Sequence, residues 1–255
     1  MTGGSSGIGA ALIAKLVDAG ALVCNFDISD NEQRGAKHIR CDVTDEAQLS
    51  QAIEDAQTAH GPIDLYFSNA GVLSHQAEGA ASASNADWEL CWAVNVMAHV
   101  YASRRLVPAM TARGTGYFVI VASAAGLLNQ IGDAAYSATK HAAVSFAESL
   151  AITHGDEGIG VSLLCPQYVA TPLINVSAED ADSFASLLTA DEVAAATLNA
   201  VDTGKFLVLP HSEVERYAVH RAQDRDKWIS GMRKLRSKAL KTFGDARPEH
   251  FYRLV

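Results

Sequence analysis

Short apolar runs alternate along this chain with longer segments of helical period. Strands are predicted at Ala21–Asp27, Lys37–Cys41, Leu65–Asn69, Tyr117–Ala122, Gly160–Cys165 and Lys205–Leu209. Helices are predicted at Gly9–Ala19, Asp45–His60, Asp87–Arg113, Ala134–His154 and Ala190–Asp202. Strands that recur between helices imply βαβ units and a parallel sheet covered on both faces. The expected class is therefore α/β: a doubly wound parallel sheet in one domain, residues 1–210, with no repeat or linker inside it.

Two stretches depart from this regularity. Between Trp88 and Met110 the apolar residues wrap most of the helix circumference, whereas a helix covering a sheet needs one apolar stripe. A second face buried against a partner subunit or another helix is expected. The charge balance also changes near residue 210: residues 211–255 hold 11 Lys and Arg against 6 Asp and Glu, and residues 1–210 hold 9 against 23. Trp228, Met232 and Leu235 recur there at helical spacing. This basic tail reads as an amphipathic helical extension packed on the domain, with a mobile lid or a partner-binding arm as alternatives.

Composition narrows the classes. With 49% apolar residues the chain can build a core, and a net charge of −9 makes nucleic acid an unlikely partner. Cys24, Cys41, Cys91 and Cys165 form no CxxC pair, so free thiols in a reducing compartment are expected, without a metal site. Gly114–Gly132 and Gly158–Ala178 are uncharged but broken by glycine, polar residues or proline, and no signal peptide is visible. A cytoplasmic protein without a membrane partner follows as the expectation.

Candidate chemistry begins at Thr2-Gly3-Gly4-Ser5-Ser6-Gly7-Ile8-Gly9. Glycines admit a pyrophosphate close to the backbone, and the helix that follows offers unpaired N–H groups. The next strand ends at Asp27, 18 residues after Gly9. A carboxylate at that spacing accepts bonds from a ribose and repels a 2′-phosphate, so NAD is expected rather than NADP. Further on, Tyr136 and Lys140 are spaced i, i+4 on one helix. An ammonium beside a phenol is expected to lower its pKa toward neutrality, making Tyr136 a general acid/base. Ser123 ends a strand, and Asn95 is a polar residue within an apolar helix, where an unpaired amide is costly.

Together these residues resemble the short-chain dehydrogenase/reductase family over residues 2–210, with its Rossmann-type fold. The resemblance rests on Thr2–Gly9, Asp42-Val43, Ser68-Asn69-Ala70-Gly71, the set Asn95, Ser123, Tyr136 and Lys140, and Pro166-Gln167-Tyr168-Val169-Ala170-Thr171. It implies that Tyr136 exchanges the substrate proton, Ser123 binds the same oxygen, Lys140 binds the nicotinamide ribose, and Asn95 holds a relay water. It places Gly3, Ser5, Ser6, Gly7, Ile8 and Gly9 at the pyrophosphate. Asp42 and Val43 fall at the adenine, Asn69, Ala70 and Gly71 beside the central strands, and Pro166, Val169 and Thr171 at the nicotinamide. A homodimer or homotetramer is implied as well.

Three features depart from the family. The strand that precedes the glycine turn is not in the sequence, so the neighbouring strands are expected to show unpaired N–H and C=O groups. Gln167 stands where a glycine is usual, and no Asp-Gly-Gly follows the last strand.

The leading function is hydride transfer between NAD(H) and an uncharged, mostly apolar secondary alcohol or its ketone. The alternatives are an NADPH-linked carbonyl reductase and a catalytically silent NAD-binding sensor or scaffold. Leu73, Leu127, Leu128, Tyr168, Leu173, Ile174, Phe184 and Leu187 are expected near the substrate, with Asn129, Gln130 and Gln167 as polar exceptions. No Arg or Lys lies in 114–135 or 158–199 to pair with a charged substrate. His38, His60, His99, His141 and His154 are read as surface or capped positions, His75 and Asp133 as solvated loop residues. Pairing is expected to stop at Pro172, leaving Pro172–Leu188 as a lid.

Overall fold

The computed structural model describes residues 1–74 and 79–255, without the side chains at 178 and 182. In order, the elements are α1 (Gly7–Asp18), β1 (Val23–Asp27), β2 (Ala36–Arg40), α2 (Glu46–His60), β3 (Leu65–Ser68), α3 (Asn85–Trp92), α4 (Ala98–Arg113), β4 (Gly116–Val121), α5 (Ala134–His154), β5 (Ile159–Leu164), β6 (Tyr168–Ala170), β7 (Leu187–Thr189), α6 (Ala190–Thr203), β8 (Leu207–Val208), α7 (Glu213–Gln223) and α8 (Arg225–Phe243). Every strand and helix read from the periodicity is present. No described helix is long and apolar enough to cross a membrane.

All strand pairs are parallel. β1 pairs with β2, while β3, β4, β5 and β8 lie side by side in that order. Met1–Gly3 stitch the two groups together. Thr2 N–H donates to Phe67 O (3.0 Å), Gly3 N–H to Phe26 O (3.0 Å) and Phe26 N–H to Met1 O (2.8 Å). The position expected to lack a strand is thus bridged only at the end where the glycine turn begins. Beyond that bridge, β1 and β3 share no ladder.

Strand residues alternate between two cores, as a period of two requires. Phe118 and Ile120 of β4 face Leu49 and Ile53 of α2, Leu106 of α4 and Ala147 of α5. Val119 and Val121 face Leu12 and Ile13 of α1 and Val193 of α6. Burying each such Leu or Ile contributes about 1.5–3 kcal/mol, so both faces hold the sheet. Local signals fix the helix ends: Asp45 accepts from the Ala47 and Gln48 N–H groups to start α2, and Thr189 with Glu192 forms a capping box on α6. Gly114, at φ 69°, ends α4 in a left-handed turn that a side chain would strain.

The predicted helix Asp87–Arg113 is interrupted. Residues Ala93–Met97 form a π-helical turn between α3 and α4, a departure that hydrophobic period does not reveal. The tail also holds two helices rather than one. The end of α8 and the C-terminal turn Pro248–Arg253 pack on the small β6–β7 pair, with Tyr168, Leu187, Ala239, Phe251 and Tyr252 in one apolar cluster. Pairing in β6 stops at Ala170, two residues before Pro172, as expected.

Candidate functional site

The glycine turn lies at the C-terminal ends of β1 and β3. A Cβ on Gly9 would collide with Gly3 O, so only glycine lets α1 start this close to the turn. Asn25 holds the turn from below, accepting from Gly4 N–H (2.9 Å) and donating to Ser5 Oγ (3.0 Å). Asn69 Nδ2 donates to Thr2 O (3.0 Å) and Gly3 O (2.8 Å), and the Asn69 and Ala70 N–H groups both donate to Thr2 Oγ1. Asp27 closes β1, with Oδ2 accepting from Ser5 N–H (3.0 Å) and Oδ1 from Ser29 N–H (2.9 Å). Arg40 pairs with Asp27 in register across β1 and β2, but its guanidinium turns to Asp30 (2.7 Å). Asp42 is exposed just past β2, its Oδ1 taken by Thr44, while Val43 is buried.

Asn95 and Lys140 meet beside Gly71, and Lys140 leads on to Tyr136. A Cβ on Gly71 would lie 3.4 Å from both Asn95 Oδ1 and Lys140 Nζ. Asn95 projects from the π-helical turn, accepting from Val72 N–H (3.0 Å) and donating to Val72 O (3.0 Å) and Thr139 Oγ1 (3.1 Å). Lys140 Nζ donates to Val121 O (2.9 Å) and sits 5.6 Å from the centre of the Tyr136 ring. Ser123 accepts from Ala125 N–H (3.1 Å), and its side chain acts on the Tyr136 phenol in the direction of ionisation.

Burial dominates the electrostatics here. It pushes the Tyr136 phenol up to about 12, with Ser123 partly offsetting and Asp133 adding to the rise. It also pulls Lys140 down to about 8. The expected lowering of the phenol by Lys140 is therefore corrected: the phenol is out of water, and desolvation of the phenolate dominates. Tyr136 is protonated at neutral pH and suited to donate a proton.

Across the cleft runs the segment after β5. Pro166 O accepts from Ala124 N–H (2.8 Å) and Ser123 Oγ (3.4 Å), and Thr171 Oγ1 donates to Val169 O (3.2 Å). A Cβ on Gly7 would come 3.1 Å from Thr171 Cγ2, so the two walls nearly meet. Ser6 is exposed, whereas Ile8 is partly buried and packs against the core with Leu12 and Ile13.

A cavity of about 670 Å³ opens beside Ala124 and Ala125, between Leu128–Gln130 and Gln167–Tyr168 on one side and Tyr217, Trp228 and Met232 of the tail on the other. Of the residues expected near a substrate, Leu128, Asn129, Gln130, Gln167 and Tyr168 line it. Ile174, Phe184 and Leu187 instead pack under Phe251 and Tyr252, because the C-terminal turn covers them. Leu173 is exposed, and Leu127 packs beside Val214. The tail also brings Lys227 and Asp224 to the cavity, charges that the segments 114–135 and 158–199 did not predict.

Two site residues were misread from sequence. Asp133 is buried rather than solvated. It accepts from Tyr136 N–H (3.0 Å), Ser74 N–H (2.7 Å) and Ser74 Oγ (2.6 Å), capping the helix that carries Tyr136 and Lys140. His99 is also buried, bonded to Ser68 (2.6 Å) and driven down to about 3 by burial and Lys140. Its place one turn past Asn95 was the available signal. His141 stays partly buried between Ser137 O (2.8 Å) and Arg221 (3.2 Å), and His75 lies outside the described residues.

A doubly wound sheet with a glycine turn and a polar cluster at one end defines a Rossmann-type protein. The chain belongs to the short-chain dehydrogenase family, whose profile matches residues 1–182, and it is accordingly an oxidoreductase. It is 31% identical over 230 residues to momilactone A synthase of Oryza sativa subsp. japonica, covering 81% of this chain and 84% of that protein. It is 28% identical over 240 residues to (+)-borneol dehydrogenase 1 of Salvia officinalis, covering 91% and 88%. Among solved structures, a short-chain dehydrogenase/reductase from Burkholderia phymatum in complex with NAD matches with a TM-score of 0.78 and 28% identity, covering 89% of this chain and 92% of that one.

Proposed function

We propose that this chain is an NAD-dependent dehydrogenase that interconverts an uncharged, mostly apolar secondary alcohol and its ketone. The meeting of Asn95 and Lys140 beside Gly71, with the Tyr136 ring 5.6 Å from Lys140 Nζ, carries this reading. The residues fit a dinucleotide: a turn that excludes side chains, a carboxylate at the end of β1, and Thr171 opposite Gly7. Gly3, Ser5, Ser6, Gly7, Ile8 and Gly9 would receive the pyrophosphate, Asp27 the ribose, Asp42 and Val43 the adenine, and Lys140 the second ribose. When bound, the nicotinamide supplies the hydride donor or acceptor.

Tyr136 gives its phenol proton to the ketone oxygen, or takes the alcohol proton as phenolate. Ser123 holds that oxygen in place. Lys140 holds the ribose beside the phenol, and Asn95 leads the proton outward. The apolar wall of the cavity suits a hydrocarbon skeleton, and borneol, a bicyclic secondary alcohol, is a reasonable probe. Residues 1–210 are read as the catalytic domain and 211–255 as an extension that completes the cavity. The four free thiols suit a cytoplasmic setting.

One observation favours a second reading, NADPH-linked carbonyl reduction: Arg40 lies opposite Asp27 and is tied only to exposed Asp30. Released, it could pair with a 2′-phosphate. Steady-state assays of bicyclic secondary alcohols and their ketones, with each cofactor in parallel, separate the two. A higher kcat/KM with NAD is expected. Tenfold preference for NADP would establish the second reading, and no turnover with either cofactor would favour a silent binder.

A further inference from the structure

His211 lies three residues past β8 and is almost wholly buried. Both of its ring nitrogens are engaged by consecutive residues of the segment after β5. Gln167 N–H lies 3.1 Å from Nδ1, and Tyr168 O lies 3.0 Å from Nε2. A backbone N–H can only donate, and a carbonyl can only accept. The proton must therefore be on Nε2 and the lone pair on Nδ1, which fixes a neutral tautomer.

The pinned peptides stand between two functional groups. On one side Pro166 O receives Ser123 Oγ. On the other, β6 leads to Thr171, whose side chain stands against Gly7 of the glycine turn. Register brings His211 here: Cys165 N–H donates to Val208 O (2.9 Å), so the chain leaving β8 runs beside the chain leaving β5. We propose that His211 is a positioning residue, a neutral strut that holds the Gln167–Thr171 segment in the geometry that closes on the nicotinamide. The strut itself follows from the hydrogen bonds; its effect on cofactor binding rests on the functional reading above.

Protonating the imidazole would put an N–H against the Gln167 N–H and turn an acceptor into a repelling donor. The groups facing the ring are Glu213 at the start of α7, Glu192 on α6, and the Tyr168 and Ser186 carbonyls. All favour the charged form, yet burial outweighs them and lowers the pKa. The neutral strut accordingly prevails at neutral pH and is lost on acidification.

The test uses the full chain with His211→Ala and His211→Asn; an asparagine amide can still accept from Gln167 N–H. Hydrogen exchange on ligand-free protein is the first readout. Peptides spanning Gln167–Thr171 should exchange about tenfold faster in His211→Ala, the effect of losing a net hydrogen bond, with α5 peptides unchanged and His211→Asn intermediate. NADH binding, followed by fluorescence from pH 8 to pH 5 while circular dichroism monitors folding, is the second. Wild type should lose affinity at the acidic end, whereas His211→Ala should bind about tenfold more weakly at pH 8 with no further acidic loss.

Unchanged exchange in His211→Ala would overturn the strut. An acidic loss as steep in the variant as in wild type would remove its role in cofactor binding. If wild type bound neither NADH nor NADPH, the cofactor reading would fail while the exchange data still decided the strut.

Discussion

At the scale of single residues, the site is governed by burial. Tyr136→Phe keeps the ring and removes the proton, so turnover should fall by roughly 10²–10⁴, with NADH affinity retained. A variant keeping half of wild-type turnover would take Tyr136 out of the reaction. Lys140 makes a thermodynamic prediction independent of substrate. Its pKa falls from an ordinary 10.5 to about 8 on folding, so between those values the unfolded chain holds more protons than the folded one. Stability contributed by this residue therefore rises with pH across that window, and is lost as pH falls through 8. Lys140→Met has nothing to titrate there. Thermal melts from pH 7.5 to 10.5 should show wild type gaining on the variant, and parallel curves would mean that Lys140 is not desolvated as described. The grouping of Tyr136 with Lys140 was readable from their i, i+4 spacing, and Ser123 and Asn95 joined them through the family resemblance. Their proton affinities were not readable, since spacing predicts the neighbouring charge but not how far water is excluded.

Among the elements, α5 is the one on which the site depends, and its N-terminus shows what periodicity leaves out. Asp133 stands three residues before Tyr136, and in sequence it resembles any loop acid. In the fold it caps α5 and at the same time holds Ser74, past the Asn69–Gly71 segment. Asp133→Ala removes a cap and the bonds that Asp133 accepts from Ser74, a loss of about 2–4 kcal/mol. For a chain of this size the midpoint should drop by about 5–15 °C. A melt within one degree of wild type would mean that Asp133 is dispensable, whereas Asp133→Asn should fall between the two. Strand and helix limits were readable from apolar period because each element buries a continuous face. The π-helical turn at Ala93–Met97 was not, because a single inserted residue leaves the apolar pattern on both sides intact. β6 and β7 were missed as well: three residues each, they exist as strands only because they pair with one another.

The assembly of the whole molecule is the least directly readable, and α3 supplies the clue. Trp88 and Trp92, one turn apart, are 36% and 47% exposed, and Leu90 is 50% exposed. The all-round apolar pattern of this segment is thus only half answered within the chain: Cys91 is buried toward α5, while the indoles remain in water. Ile152, near the end of α5, is 84% exposed. Single exposed apolar residues need no explanation, but two tryptophans on one face of one helix mark a surface suited to burial. A two-fold contact would bring the same face of each copy together, so one substitution acts twice at the interface. Trp92→Glu places a charge where an indole would be covered, and desolvating an unpaired carboxylate opposes association without disturbing a side chain that is already half in solvent. Light scattering at micromolar concentration should report a dimer or larger for wild type and a monomer for Trp92→Glu, with the circular dichroism spectrum unchanged. A wild-type monomer under those conditions would refute assembly through this face. An unaltered oligomer in the variant would move the contact elsewhere, with the basic face of α8 next to be tested by truncation after Pro210.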